Sequence, residues 1–254
     1  MLLALDIGNT NIVAGCIGDE GILFSERIKT DTSKTDLEYV VLFDALLDLH
    51  DVNKEEIEGI AVSSVVPQVN TVITAAVKKM FGKAPMFVGP GIKTGINIAI
   101  DDPSTAGSDL IVDAVAGLND YGAPLIMIDM GTATTVFVID ENRNFIGGAI
   151  MPGVGATMDS LVNKTSQLPR ISLEAPKKVI GRNTVDSMKS GIILGQVSAL
   201  DGMIERIWDE LGYETKVVAT GGLAPAMIPN CKHDVIIDSD MILKGLKIIY
   251  EKNK

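Results

Sequence analysis

In the first third of the chain, the apolar positions follow two patterns in turn, one typical of strands and one typical of helices. Three short apolar runs, separated by Gly8-Asn9 and by Asp19-Glu20-Gly21, predict three successive strands. The apolar positions then recur every three or four residues, which predicts a helix. In order, the predicted elements are strands 2–7, 12–17 and 22–30, helix 35–50, strand 57–63, helix 67–81 and strand 86–88.

The remainder of the chain repeats this order after a loop from Gly89 to Gly107, which its glycines and prolines predict to be exposed and functional. The later predicted elements are helix 109–121, strands 124–130, 134–140 and 145–150, helices 155–166 and 187–211, strand 216–219, a short helix from Leu223, a strand near Val235 and helix 240–251. Three strands, helix, strand, helix and strand is the order of a ribonuclease-H-like domain. The pattern predicts an α/β protein with two ribonuclease-H-like (actin-like ATPase) domains, residues 1–119 and 120–254, each a mixed sheet with flanking helices.

Composition narrows the functional classes. The 254 residues are 46% hydrophobic, which suffices for a large core, and the formal net charge is −11. This acidity argues against nucleic acid and against anionic membranes as partners, because both require clustered positive charge. No signal-peptide pattern and no apolar run of about 18 residues is present, so a cytoplasmic location is predicted. Cys16 and Cys231 lie in or near apolar stretches and are predicted to be free thiols.

Two short segments combine an aspartate, a glycine and a threonine between predicted strands. They are Asp6–Asn11 and Asp129–Thr135. A tight hairpin of this kind directs backbone N–H groups and the hydroxyls of Thr10 and Thr132 at phosphate, while its aspartate holds a cation or a water on a cation. Glycine allows the backbone to approach the phosphate closely. Two such hairpins predict two related halves that close on a nucleotide.

A third segment, Gly221-Gly222, lies between a predicted strand and a predicted helix. In actin-like kinases this position contacts the adenosine, because glycines let the ring or the ribose lie against the backbone. A Gly-Gly pair alone also suits an ordinary turn. Its place after two phosphate loops favours nucleotide binding.

These three segments, in this order, give the chain a resemblance to type III pantothenate kinases over essentially its whole length. The segments that carry the resemblance are Asp6-Ile7-Gly8-Asn9-Thr10-Asn11, Ser63-Ser64-Val65-Val66-Pro67, Val88-Gly89-Pro90-Gly91, Asp129-Met130-Gly131-Thr132-Ala133-Thr134-Thr135, Gly147-Gly148-Ala149-Ile150, Leu168-Pro169, Ile180-Gly181-Arg182-Asn183-Thr184, Ser190-Gly191 and Thr220-Gly221-Gly222-Leu223-Ala224.

The resemblance implies a homodimer that phosphorylates pantothenate with ATP, the first step of coenzyme A synthesis. It also implies a divalent cation such as Mg²⁺ for the ATP, with Asp6 as a ligand, and a monovalent cation, K⁺ or NH₄⁺, near Asp129. Thr184 is implied to contact the acceptor. The residues implied to contact ATP are Asp6, Ile7, Gly8, Asn9, Thr10, Asn11, Ile12, Val13 and Thr132, with Gly221 and Gly222 at the adenosine.

The acceptor-binding segment departs from the family pattern. The family usually has Gly-Ala-Asp-Arg where this chain has Gly107-Ser108-Asp109-Leu110, and a tyrosine where this chain has Ile100. Asp109 resembles the family's catalytic base. The family's arginine is positioned to pair with the carboxylate of the acceptor, a contact worth roughly 1.5–3 kcal/mol, so its loss weakens carboxylate binding by roughly 10- to 150-fold.

Several interpretations stay open. Lys93, Arg170 or Arg182 could replace the missing guanidinium, and Leu110 could simply be a core residue of the helix that follows. Asp109 also suits a helix N-terminus on purely electrostatic grounds. The acceptor could instead be another small alcohol that lacks a carboxylate, such as a pantetheine-like amide. A further alternative is a paralogue that binds nucleotide without catalysis. The retained aspartates argue against it.

Overall fold

The computed structural model describes the whole chain, Met1–Lys254. The chain forms two compact units. The first contains Met1–Ile96, Asp102–Ala116 and Asp240–Lys254, and the second contains Asn97–Asp101 and Gly117–Ser239. The change of unit after Ala116 lies close to the boundary predicted at residue 119. The C-terminal segment, which the sequence pattern grouped with the second half, groups with the first unit.

The first unit contains a five-stranded mixed sheet. Its strands are β1 (Leu2–Ile7), β2 (Asn11–Ile17), β3 (Ile22–Lys29), β4 (Gly59–Ser64) and β5 (Met86–Phe87). The spatial order is β3-β2-β1-β4-β5, in which β1 pairs antiparallel with β2 and parallel with β4. The three successive strands at the start of the chain are therefore confirmed, as is the ribonuclease-H-like arrangement that they predicted.

The second unit repeats this arrangement with one strand added at the edge. Its strands are β6 (Asn97–Ile98), β7 (Leu125–Met130), β8 (Ala133–Ile139), β9 (Asn144–Pro152), β10 (Lys216–Thr220) and β11 (Ile236–Ile237). The order is β11-β10-β7-β8-β9-β6, so β7 takes the place that β1 has in the first sheet. The added strand β6 pairs parallel with β9 and was not predicted; it lies in the segment 89–107 that the sequence pattern assigned to a loop.

Eight α-helices complete the fold, and none is both long and apolar enough to span a bilayer. They are α1 (Asp36–Leu49), α2 (Pro67–Phe81), α3 (Ser108–Asp120), α4 (Val154–Lys164), α5 (Thr184–Lys189), α6 (Gly195–Leu211), α7 (Ala224–Met227) and α8 (Met241–Asn253). Thr35 caps α1 in a reciprocal box with Glu38, whose backbone N–H donates to the Thr35 hydroxyl. Pro67 occupies the first turn of α2, as its fixed φ predicts.

Apolar side chains cover both faces of the first sheet. One face packs around Tyr39 and Phe43 of α1 and Ile73 of α2. The other packs against α3 and α8, where Leu246 and Ile249 are fully buried. The spacing of apolar residues in α8 matches one face of a helix, and burial of that face explains why the C-terminal segment belongs to the first unit. In the second unit, β7 and α6 share a core that includes Ile128 and Leu200.

The helix predicted over 187–211 is interrupted in the structure. It begins earlier, at Thr184, and a π-helical turn at Ser190–Leu194 separates α5 from α6. A π turn inserts one extra residue into the helical repeat, so its presence shifts the faces of α5 relative to those of α6. The 3.6-residue pattern used for prediction assumes a constant repeat and does not reveal such a turn.

Candidate functional site

The first candidate phosphate loop is a tight hairpin between β1 and β2. Asp6 pairs in register with Val13 of β2 and with Ser63 of β4, so it lies near the carboxyl end of two parallel strands. The N–H of Gly8 donates to the carbonyl of Asn11 at 3.0 Å and closes the turn. A Cβ atom at residue 8 would be 3.2 Å from that carbonyl oxygen, so the close turn favours glycine here.

The side chains of the first loop divide into two groups. Ile7 and Ile12 are fully buried in the core, so only their backbone groups are available to a ligand. Asn9, Thr10 and Asn11 are exposed at the tip. The predicted ATP contacts of this loop therefore rest on backbone N–H groups and on the polar tip, and the isoleucines serve to anchor the strands.

A residue that the sequence did not single out holds this loop in place. Thr30, directly after β3, donates its hydroxyl to the Gly8 carbonyl at 2.7 Å. Its backbone N–H donates to the Thr10 carbonyl at 3.0 Å. No local pattern could have identified this role, because the hydroxyl bond joins residues 22 positions apart.

The start of α3 is attached to the end of β4 by a cluster of serines. The Ser108 hydroxyl lies 3.1 Å from the Ser63 hydroxyl and donates to the Ser64 carbonyl at 3.2 Å. The N–H of Ser64 donates to the same Ser108 oxygen at 3.1 Å. Because Ser63 is the register partner of Asp6, these bonds bring the first turn of α3, with Asp109, to the strand beside Asp6.

Asp109 has a partly desolvated carboxyl group in the first turn of α3. Burial raises the pKa of this carboxyl above its ordinary value of 3.8, and hydrogen bonds from backbone N–H groups act in the opposite direction. One of these bonds comes from the Leu110 N–H at 2.8 Å. A side chain at residue 107 would crowd the Asp109 oxygen, which explains glycine at that position.

The two residues that depart from the family pattern lie in different units. Leu110 follows Asp109 and is half-buried, so it is not part of the fully buried core. Ile100 belongs to the second unit, where its side chain lies beside Gly147 of β9. Neither residue places a cation near Asp109.

The second candidate phosphate loop, between β7 and β8, is one residue shorter than the first. The N–H of Gly131 donates to the Ala133 carbonyl at 3.0 Å, and Thr132 is exposed at the tip. Gly221, with φ of +93°, packs against this loop so closely that a Cβ would be 2.7 Å from the Asp129 carboxylate. The predicted adenosine segment thus touches the second loop through backbone alone.

Asp129 has a hydroxyl group beside it on the neighbouring strand. Thr135 is its direct register partner on β8, and residues directly opposite in an antiparallel pair project from the same face. The buried Thr135 hydroxyl has no hydrogen-bond partner in the structure. A carboxylate and an orphaned hydroxyl oxygen side by side are suitable donors for a hard cation, which prefers oxygen ligands.

Thr184 lines a pocket of about 570 Å³ within the second unit. The pocket has an apolar wall that includes Leu161, Leu168 and Met188, and polar groups from Arg182 and Thr184. Arg182 is exposed and forms no salt bridge, whereas Arg170 is paired with Asp159 at 2.5 Å. The arrangement suits a small molecule that has an apolar body and an anionic group.

The predicted site residues are thus divided between the two units. Residues 6–13 and 107–110 lie in the first unit. Ile100, Asp129, Thr132, Thr184, Gly221 and Gly222 lie in the second. Within the first unit, the serine cluster attaches the turn that carries Asp109 to the strand beside Asp6. Within the second, Asp129 and Gly221 are in direct proximity, and Thr184 lies on a separate pocket.

Comparisons with known proteins identify the family of the chain. The family model described as type III pantothenate kinase matches residues 2–206. A type III pantothenate kinase of Halalkalibacterium halodurans is 44% identical over 253 residues, and one of Brevibacillus brevis is 43% identical over 256 residues; each alignment covers 100% of both chains.

A solved structure with low sequence identity has the same fold. Component A of (R)-2-hydroxyglutaryl-CoA dehydratase from Acidaminococcus fermentans superposes with a TM-score of 0.58 at 12% sequence identity, covering 100% of this chain and 99% of that one. At this identity the likeness concerns the fold alone. The family model and the full-length relatives carry the assignment, and the chain belongs to the type III pantothenate kinase family.

Proposed function

We propose that this protein phosphorylates pantothenate with ATP to give 4′-phosphopantothenate, the first step of coenzyme A synthesis. Family membership supports kinase activity on an alcohol group. The observation that carries the proposal is the serine cluster, which attaches the Asp109-bearing turn of α3 to the strand beside Asp6. A candidate base and a candidate phosphate loop in one compact unit fit in-line phosphoryl transfer, in which the protein mainly positions the reactants.

In this mechanism the protein positions the reactants and stabilises charge. Backbone N–H groups of residues 9–11 donate to the phosphate oxygens, while the Gly8 N–H closes the turn by donating to the Asn11 carbonyl. Asp109 accepts the proton of the primary hydroxyl and orients it for attack. Asp6, a hard oxygen donor at the loop, is the proposed ligand for Mg²⁺, directly or through water; when bound, the cation neutralises charge on the phosphates.

The raised pKa of Asp109 has two consequences of opposite kind. As a base the carboxyl must be ionised, so kcat falls when pH drops through the raised pKa. A group whose folded pKa exceeds its unfolded pKa binds protons more tightly when folded. Its contribution to stability therefore falls as pH rises from about 3.8 through the raised pKa, and the ionised form is a cost at neutral pH.

We also propose a monovalent cation, K⁺ or NH₄⁺, beside Asp129. The orphaned Thr135 hydroxyl supports this site, because a bound cation would satisfy its oxygen. Such a cation would reduce the negative potential of Asp129 next to the second phosphate loop.

The pocket that contains Thr184 is the proposed contact site for the acceptor. Arg182 supports pantothenate over a neutral alcohol, since an exposed guanidinium without a salt bridge is suited to a carboxylate. Leu110 supports the alternative: it leaves an apolar, half-buried side chain beside the base, which favours an acceptor that carries an amide in place of the carboxylate.

The competing acceptors are separated by steady-state ADP release with saturating MgATP and K⁺. Pantothenate and pantetheine are titrated side by side, and the rate with the better acceptor is then followed downward in pH from neutrality. We expect turnover with a low KM for pantothenate, a fall in kcat once the pH drops through the raised pKa of Asp109, and a loss of roughly 10²–10⁴-fold in Asp109→Asn. The same variant should unfold no more readily than the wild type at pH 7, because it removes a desolvated charge.

Three other outcomes have distinct meanings. Good turnover of pantetheine with poor use of pantothenate would support the acceptor without a carboxylate. Tight ATP binding without turnover of either acceptor would support a paralogue that does not catalyse. Turnover that Asp109→Asn leaves unchanged would refute Asp109 as the base.

A homodimer is part of the proposal, with the second unit as the contact. Three apolar side chains of the second unit are largely exposed: Ile150 (78%), Val179 (72%) and Ile180 (82%). Val179 and Ile180 directly precede Gly181, where the segment that lines the pocket begins. Burial of such side chains against a second copy would remove their contact with water. Light scattering should show Ile180→Asp at half the wild-type mass, whereas Leu49→Asp, an exposed apolar residue of the first unit, should remain dimeric.

A further inference from the structure

The hydrogen bonds of the first phosphate loop identify a residue that the proposed mechanism does not include. We infer that Thr30 is a positioning residue: its hydroxyl and its backbone N–H fix the direction of the loop's amide groups and so set the affinity for the phosphates of ATP. The inference rests on the proposed function of this loop. It concerns a residue that lies outside the loop in sequence and has no predicted ligand contact.

The stereochemistry of the peptide bond gives the reason. In a trans peptide the carbonyl and the following N–H point in opposite directions. Thr30 binds the carbonyl of Gly8 at 2.7 Å and the carbonyl of Thr10 at 3.0 Å. The N–H groups that follow these carbonyls, those of Asn9 and Asn11, must therefore point away from Thr30. One residue thus sets the orientation of two loop amides.

Thr30 acts through the loop and not on the nucleotide itself. The residue is only 9% exposed, and a hydroxyl has a single proton to donate, which goes to Gly8. Ionised phosphate oxygens only accept hydrogen bonds, so the remaining lone pairs of this hydroxyl offer them nothing. Its effect on ATP must come from preorganisation of the loop amides.

The second phosphate loop supports this interpretation independently. Asn11 pairs with Lys29 ahead of Thr30, and Ala133 pairs with Pro152 ahead of Gly153, so Thr30 and Gly153 occupy equivalent positions. A Cβ at Gly153 would be 2.8 Å from the Gly131 carbonyl oxygen and closer still to that of Thr132. In both halves, the residue after the third strand faces the carbonyl groups of the loop.

Thr30→Val tests the inference because it keeps the shape of the side chain and removes the hydroxyl. We expect the KM and the calorimetric Kd for MgATP to rise roughly 3- to 10-fold, the effect of one neutral hydrogen bond, with the KM for the acceptor unchanged. Thr30→Ser keeps the hydroxyl and should restore most of the affinity. Amide hydrogen exchange of the loop peptide should accelerate in Thr30→Val only.

Thr74→Val is the matched control. Thr74 also lies in the first unit and donates its hydroxyl to a backbone carbonyl, that of Asn70 at 2.7 Å, but this carbonyl belongs to α2 and not to the loop. This variant should leave the KM for MgATP and loop exchange unchanged. The inference is overturned if Thr30→Val and Thr74→Val affect ATP binding equally, or if Thr30→Ser is no better than Thr30→Val.

The proposed function can fail separately. If the wild-type protein binds MgATP but phosphorylates no acceptor, the kinase assignment is at fault, and calorimetry with MgATP alone still decides the role of Thr30. If the wild-type protein binds no ATP, the assignment of the phosphate loop itself is refuted, and the inference with it.

Discussion

The two phosphate-loop hairpins share an aspartate, a glycine and a threonine, but they are held in different ways. The first loop is fastened by a side chain, since the Thr30 hydroxyl binds the Gly8 carbonyl. The second is one residue tighter and is packed between glycines, with Gly153 and Gly221 against its backbone. At equivalent positions, the first domain thus holds its loop with the hydroxyl of Thr30, whereas the second leaves room for its loop by having no side chain at Gly153.

This difference determines how each loop responds to change. A hydrogen bond between neutral groups contributes about 0.5–1.5 kcal/mol, so its loss loosens the first loop by a limited amount. A backbone approach that has no room for a Cβ cannot be loosened gradually, because any added atom forces the chain apart. The first loop is therefore adjustable by substitution, and the second is not.

In the comparison of the two loops, the largest effect is expected when the aspartate of each loop is replaced with asparagine. Asp6→Asn should lower kcat roughly 10²–10³-fold, because the loop loses its proposed ligand for the divalent cation. Asp129→Asn should lower kcat less, and its residual activity should no longer respond to K⁺. Steady-state rates with varied Mg²⁺ and K⁺ check both. Equal losses with unchanged cation dependence would show that the two loops have no separate ion roles.

Gly153→Ala should have the next largest effect, on the stability of the second loop. A Cβ there meets two backbone carbonyls, so we expect a loss of about 1–3 kcal/mol in the free energy of unfolding. Gly155→Ala is the matched control, since a Cβ at this position of α4 meets nothing and should stabilise by about 0.5–1 kcal/mol. Urea denaturation measures both, and equal values would contradict the close packing.

Thr135→Val should have the smallest effect on catalysis, and that effect should be selective for the cation. Its hydroxyl has no partner in the folded chain, and a buried hydroxyl without a hydrogen bond costs about 1–3 kcal/mol, so we expect the valine to stabilise the protein in the absence of the cation. The concentration of K⁺ that gives half-maximal kcat should rise, because the proposed cation loses an oxygen ligand. The titration is made at constant ionic strength with choline as replacement. An unchanged K⁺ curve would remove Thr135 from the cation site.

The sequence predicted the order of strands and helices because most elements carry a regular pattern over several residues. Strands β1 to β3 and β7 to β9 were each located within a few residues of their ends. The exception is α8, which the sequence pattern grouped with the second half. Its apolar face can be recognised in the sequence, but the sheet that it packs against cannot. Which sheet a helix covers depends on packing between distant segments, and a single chain gives no local sign of it.

The candidate site was predictable where chemistry and spacing coincide, as at Asp6 and Asp129. It was not predictable where a side chain acts at long range. Thr30 and Ser108 make their important bonds to residues 22 and 44 or 45 positions away, so no motif contains both partners. The orphaned hydroxyl of Thr135 is likewise a property of its surroundings and not of its type.

Because of the π turn at Ser190–Leu194, the count of residues in this helical segment is more tightly constrained than their identity. Each residue of an α-helix advances the chain by about 100°, so deleting one residue from the turn would rotate α5 by that angle relative to α6. Thr184 and Ser187 would then turn away from the pocket that they line, even where the deleted residue is Ile193, which does not line the pocket itself. A variant library of this segment should therefore accept many substitutions and few single-codon deletions.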